Sequence, residues 1–420
     1  MISNLLSQSP FSMTTLLILF LFCEFALELT SELLNLRRLN GQIPQEFLGL
    51  YDPLKYEQSI RYQREGTYFH LTQLSTQFIL LSVFIILGGF NSVDQWVRGF
   101  EFHPIMTGLL FAGALSVLKF ITQLPFSLYH TFHLEAKFGF NKTTVATFLG
   151  DLIKGTLLGI VLGSLIFSGL LSFFDYTGES AWLWSWIALS LFQLLLLYLA
   201  PAVIMPLFNR FTPLAEGDLK QAINAYAKKR NFQLSGIYTM DGSKRSTKAN
   251  AFFTGFGRFR KLVFFDTLLN QQTPDEIVAI LAHEIGHFEK KHIQRSILLS
   301  ITTSGLLFYS LKFFMNHPLL FDAFHMESPS TYASFIFASI FYGPPLRIFS
   351  IWSQKISRKH EFEADAFARE TLGNPEILIS ALKKLSVNHL SHLNPHPLKV
   401  ALDYSHPPIL ERIQKLRTKN

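Results

Sequence analysis

Long apolar stretches alternate with polar ones along this chain. No Asp, Glu, Lys or Arg occurs in residues 1–23, 66–93, 102–118, 155–174, 180–209, 296–311 or 328–346. Charge in hydrocarbon is costly, and a spanning helix needs about 20 apolar residues. The apolar cores predict seven transmembrane helices, over about 11–29, 70–91, 104–123, 153–174, 183–206, 295–316 and 330–352. Residues 11–29 have no basic flank before them and no small-residue cleavage site after them, so a retained helix is expected rather than a signal peptide. Glu24 and Glu28 lie four apart inside it and are expected to face a bundle interior, a wet cavity or the interface. Two polar stretches remain, 207–294 and 353–420. Each is short for an independent domain, so the two are expected to combine into one. The predicted organisation is a membrane part over 1–206, a first catalytic segment over 207–294, two further spans over 295–352 and a second catalytic segment over 353–420.

Composition agrees with the pattern. Of 420 residues, 49% are apolar and only 16% charged, against about 25% charged in a soluble protein. Disorder, a coiled coil and a disulfide scaffold are excluded. Cys23 is the single cysteine, so there is no intrachain disulfide and no Cys-rich metal site. The net charge of +7 invites a nucleic-acid reading, but the basic residues are placed by topology. They fill the first, third and fifth connections and the C-terminal tail, whereas the second connection holds only Arg98. Positive charge marks the cytoplasmic side. The N-terminus is therefore expected outside and the C-terminus in the cytoplasm, with the bilayer as partner and no nucleic acid.

The chemistry sits in the polar stretches. Thr273-Pro274-Asp275-Glu276 reads as a capping box with Pro at the first helical position. Ile277, Ile280, Leu281 and Ile285 then recur at helical spacing. His283 and His287 fall four apart on one face of that helix, where two imidazoles can share one Zn²⁺ with Glu284 beside its water. A catalytic zinc takes three protein ligands and keeps one position open. The extended pattern with a His six residues on is absent, since Ile293 stands there. His292, five residues on, is expected to point off the shared face. The better candidate for a third ligand is Glu361 on a second helix that ends near Gly373, although Glu361 and Asp365 taken alone read as an ordinary solvated helix face. Asp365, four residues later, can accept the free ring N–H of a ligand His, fixing its orientation.

The motifs His283-Glu284-Ile285-Gly286-His287, Ser357-Arg358 with Glu361-Phe362 and Ala364-Asp365-Ala366-Phe367-Ala368, and Tyr404-Ser405-His406-Pro407-Pro408 with Glu411-Arg412 resemble the type 1 CAAX prenyl proteases. Asn250-Ala251-Phe252 with Gly255-Phe256, and Leu124-Pro125-Phe126-Ser127-Leu128-Tyr129, are also similar to that family. The resemblance implies a mainly α, polytopic fold of about seven spans enclosing a chamber. A cytoplasmic α+β metallopeptidase domain with a small edge-strand sheet would close it. It implies one Zn²⁺ per chain on His283, His287 and Glu361, with Glu284 as acid/base and Asp365 behind a ligand. Asn250 would lie on or beside the strand that pairs with substrate, and His406 would assist at the oxyanion, where a helix start favours negative charge. The strand Lys261–Phe265 is expected to receive the substrate by edge addition. The implied substrate is a protein with a prenylated CAAX C-terminus, cut after the Cys by a monomeric enzyme. The membrane would be the endoplasmic reticulum in a eukaryote or the inner membrane in a bacterium.

Two other readings compete. A quality-control metalloprotease of the same superfamily shares the His-Glu-His helix, but the Tyr-Ser-His-Pro-Pro segment favours the prenyl proteases. A transporter with a structural zinc is disfavoured, because such a site takes four protein ligands and needs no general base.

Overall fold

The computed structural model describes residues 12–254 and 260–418; Gly255 and Phe256 lie outside them. The chain is mostly helical. Helices of seven residues or more are numbered α1 Met13–Arg37, α2 Pro53–Ile86, α3 Gly89–Arg98, α4 Pro104–Tyr129, α5 Val145–Tyr176, α6 Ala181–Leu199, α7 Asp218–Lys229, α8 Pro274–Glu289, α9 His292–Phe314, α10 Thr331–Phe341, α11 Gly343–Leu372, α12 Pro375–Asn388, α13 Pro397–Asp403 and α14 Ile409–Arg417. Among the described residues six helical segments are long and apolar enough to cross a membrane, and the bent pair α10–α11 makes a seventh.

Several helices outrun their apolar cores. α2 starts at Pro53 rather than near residue 70, because Asp52 caps Leu54 N–H and Pro53 occupies the first turn. Its charged first half continues the helix beyond the hydrophobic stretch. The last predicted span is broken: α10 and α11 meet at 50°, where Tyr342 is followed by Gly343-Pro344-Pro345. Two prolines remove backbone donors at the break. A Cβ on Gly343 would lie 3.0 Å from a Glu24 carboxylate oxygen. α11 then runs on to Leu372, far beyond the predicted end near 352, and Gly373 closes it in the left-handed conformation at φ 74°.

Of three buried clusters among the described residues, two are large. One joins Leu17, Ile85, Phe90, Phe111, Phe324 and Phe337 at one end of the bundle. The other joins the sheet, α7, α8, α12 and α14 through Ile223, Leu262, Phe264, Leu281, Leu378 and Ile413. The sheet is β1 Phe211–Pro213, β2 Gly236–Met240, β3 Ala251–Thr254 and β4 Lys261–Phe265. Their order is β1-β2-β4-β3, with β2 and β4 parallel and the other pairs antiparallel. This corrects the expectation for Lys261–Phe265. β4 is an interior strand, hydrogen-bonded on both sides, and β3 is the terminal strand beside it, with β1 at the other edge.

Glu28 is paired rather than solvated. Arg347 bonds it, and Lys399 Nζ lies 3.1 Å from Glu28 and 2.6 Å from Glu32. His70 stands 3.6 Å from Glu32. The trio Glu28, Glu32 and His70 has metal-like donor spacing, but these cations already neutralise its carboxylates.

Candidate active site

α8 begins as its sequence dictates. Thr273 accepts from Glu276 N–H, and the Glu276 side chain accepts from Thr273 N–H, so both halves of the capping box are present. One turn of helix separates His283 from His287, and their Nε2 atoms converge to 3.2 Å. α11 crosses α8 closely because residue 286 is Gly. A Cβ there would meet Ala364 Cα at 3.0 Å and Ala364 O at 3.1 Å. That approach brings Glu361 to the pair, with Oε2 3.4 Å from His283 Nε2 and Oε1 3.2 Å from His287 Nε2.

The donor set suits a borderline divalent ion: two imidazoles and one carboxylate. Glu361 Oε2 is buried and faces only His283 and Arg412, each at 3.4 Å and neither in good hydrogen-bond geometry, so a cation seated between the three side chains would satisfy it. Behind this cluster, Asp365 Oδ1 lies 2.9 Å from His283 Nδ1. That contact puts the His283 proton on Nδ1 and leaves Nε2 free to coordinate. Burial opposes charge on His283, yet its bonds to Asp365 and Glu361 raise its pKa to about 9. Metal binding must therefore expel a proton here. Burial raises the pKa of the Glu284 carboxyl, with His283 and His287 pulling it the other way.

His406 and Asn250 are placed differently. His406 Nε2 is 3.4 Å from Glu361 Oε1, on the exposed rim of the site, and Ser405 Oγ lies 2.9 Å from its Nδ1. Asn250 is exposed and directly precedes β3; its side-chain oxygen accepts from Ala251 N–H at 2.9 Å. It is thus on the terminal strand's leading end.

Two residues of the site had no role assigned from the sequence. Arg412 donates two bonds to Asp365, from Nε at 2.8 Å and from the terminal nitrogen at 2.6 Å. It also sits 3.4 Å from Glu361 and is itself buried. The available signal was an Arg within the buried stripe Arg412, Ile413 and Leu416 of α14. The second is His292. It does not point away: its Nδ1 lies 3.0 Å from His287 Nδ1. The helical projection fails because the chain turns at Lys291, φ 57°, before α9 starts.

The site opens into a cavity of about 930 Å³. His283, Glu284, His287, Glu361 and His406 form one wall, and Leu189, Phe192, Leu196, Met205, Phe252 and Phe253 line much of the rest. α6 does not end cleanly beside it. A π-helical segment, Ala200–Ile204, follows at Pro201, widening the backbone where the cavity begins.

Comparison with known proteins gives the family. Residues 32–210 match the family model for the CAAX prenyl protease N-terminal region with five membrane helices, and residues 213–420 match peptidase family M48. The chain belongs to the M48 peptidases of the CAAX prenyl protease 1 type. It is 33% identical over 399 residues to the CAAX prenyl protease 1 homolog of Arabidopsis thaliana, covering 91% of this chain and 93% of that one. It is 37% identical over 336 residues to CAAX prenyl protease 1 of Saccharomyces cerevisiae, covering 75% and 74%. The crystal structure of S. mikatae Ste24p superposes with a TM-score of 0.92 at 30% identity, covering 98% of this chain and 100% of that one. This chain is accordingly a multi-pass membrane metalloendopeptidase acting on a peptide substrate.

Proposed function

We propose that this M48 member binds one zinc ion on His283, His287 and Glu361 and cuts the peptide bond after a prenylated Cys near a protein C-terminus. The observation carrying the lipid part is the cavity. An apolar wall from α6 and the strand β3 continues directly into the His-His-Glu cluster. Its volume, about 930 Å³, falls within the roughly 300–1,000 Å³ of small-ligand pockets. A peptide laid at the cluster would place a thioether-linked isoprenoid against that wall.

Zinc, when bound, supplies a Lewis acid for the scissile carbonyl and for activating water. The chain's own residues do the rest. Glu284, its pKa raised by burial, takes the water's proton at a carboxylate oxygen and passes it to the leaving amine. The raised pKa narrows the gap to neutral pH, which favours both transfers. His406 donates a hydrogen bond to the developing oxyanion from the open rim. β3 offers backbone groups for strand addition, so affinity comes with little demand on side-chain sequence. Asn250, at its leading end, orients the peptide on the prime side or holds the strand for it. The distribution of basic residues over the connections supports a cytoplasmic position for this machinery, and His283, His287 and Glu361 all come from one chain.

The test is cleavage of matched CAAX peptides, one farnesylated and one not, by the detergent-purified chain, followed by mass spectrometry. Release of the C-terminal tripeptide with a kcat/KM at least tenfold higher for the farnesylated peptide is expected. Equal cleavage of both would remove the lipid from the account and leave a quality-control protease as the reading.

A further inference from the structure

His287 is held from behind by an imidazole, and that imidazole is held by a carboxylate. His292 Nδ1 is 3.0 Å from His287 Nδ1, and His292 Nε2 is 2.9 Å from Glu363 Oε2. His292 is 3% exposed. The His360 ring stacks on it at 3.9 Å between centroids and 12° between planes, which fixes the plane in which His292 presents its nitrogens. The left-handed turn at Lys291 is what returns His292 to α8.

Proton placement then has a single solution. His287 Nε2 points at His283 and Glu361, so a coordinating His287 carries its proton on Nδ1. That N–H can only donate, so His292 Nδ1 must accept. The His292 proton is therefore on Nε2, where Glu363 accepts it. Every polar atom in the chain has a partner, and every partner has the right role.

We propose that His292 and Glu363 are positioning residues for the metal site, acting through His287. α11 thus backs both ligand imidazoles. Asp365 holds His283 directly at 2.9 Å, and Glu363 holds His287 through His292. Partners of this kind orient the ligand ring and raise its basicity. The proposal rests on the reading above that His287 binds the metal, and its test separates the two.

The measurement is zinc affinity of the full-length chain in detergent, metal-stripped and titrated against a competing chromophoric chelator. His287→Ala is the control. If it keeps wild-type affinity, the ligand assignment itself falls. With that control lost as expected, His292→Ala weakens zinc by about 10–100-fold. Glu363→Ala weakens it too, whereas Glu363→Gln retains most of the affinity, because its side-chain oxygen still accepts from His292. In a His292→Ala background, Glu363→Ala adds nothing. A merely structural role for Glu363, through Arg295 and Lys359 at 3.7 Å each, would cost the same with or without His292. That equality, or an unchanged affinity in His292→Ala, overturns the proposal. Glu363 is partly exposed, so its variants decide the matter even where His292→Ala folds poorly.

Discussion

Replacing Arg412 by Leu removes the permanent cation that faces the buried carboxylates of the site. Asp365 is 2% exposed and receives two short bonds from this guanidinium, at 2.8 and 2.6 Å, besides the one from His283 at 2.9 Å. Glu361 is 4% exposed and lies 3.4 Å from it. Breaking a buried pair from one side costs about 3–5 kcal/mol, since a charge is left without its partner. For a domain of this size, that corresponds to a fall in melting temperature on the order of 10 °C. The loss is largest without metal, when Glu284, Glu361 and Asp365 face each other with the guanidinium gone. A bound divalent ion partly replaces the missing charge. Zinc should therefore raise the melting temperature of Arg412→Leu by more than it raises that of the wild type. The assay is thermal unfolding of detergent-purified protein followed by intrinsic fluorescence, with and without saturating zinc. Arg412→Lys keeps the charge and loses the two-pronged geometry, so it should fall between. The double variant Asp365→Leu with Arg412→Leu removes both members of the closest pair, leaving Glu361 as the carboxylate without its cation, and should recover much of the metal-free stability. Wild-type melting of metal-free Arg412→Leu, or a double variant no better than the single one, would refute this electrostatic account.

Further outcomes follow from the same structure. Gly286→Ala places a Cβ 3.0 Å from Ala364 Cα, so α8 and α11 must separate; about 1–3 kcal/mol of stability and most zinc binding should be lost, by melting and chelator competition. Ala200→Trp fills the cavity beside the π-helical segment and should lower kcat/KM for a geranylgeranylated peptide more than for a farnesylated one; equal loss would detach the cavity from the lipid. His389 accepts Ala249 N–H at 2.9 Å, and burial, with Lys248 nearby, holds its pKa at about 4, below the ordinary 6.5. A depressed His stabilises the fold above pH ~6.5 and loses that contribution as pH falls toward 4. Hydrogen exchange at Ala249–Thr254, corrected for intrinsic rates, should speed up over that window in the wild type and lose this pH dependence in His389→Gln; identical profiles would show that His389 does not hold β3.

Local order was legible and long-range return was not. Charge-free stretches mark hydrocarbon directly, and the capping box with its helical period placed His283 and His287 on one face before any fold was known. Glu361 and Asp365 share one helix face by their spacing, but that spacing alone also fits a solvated face; their roles rest on the neighbouring His-Glu-His helix and on the family resemblance. What the sequence hides is where a turn or a strand order sends the chain. His292 projects away from His287 on a continued helix, and only the φ of 57° at Lys291 brings it back. Lys261–Phe265 is legible as a strand but its place in the sheet is not: expected to take substrate at its edge, it lies between partners in the order β1-β2-β4-β3. Arg412 reaches Asp365 across 47 positions of sequence, a distance no periodicity carries. The polar first half of α2 lies outside the hydrocarbon signal, so its start at Pro53 rests on the cap at Asp52.

The central claim is that the His-His-Glu cluster, with Glu284 beside it, is where the peptide bond is cut. It is tested most directly by measuring zinc content and farnesyl-peptide cleavage together, for the metal-stripped chain, the zinc-reloaded chain and Glu284→Gln. The account predicts one zinc per chain in both reloaded proteins. It predicts tripeptide release by the reloaded wild type alone. Cleavage by zinc-loaded Glu284→Gln at near wild-type rate, or undiminished cleavage by the stripped wild type, would contradict it.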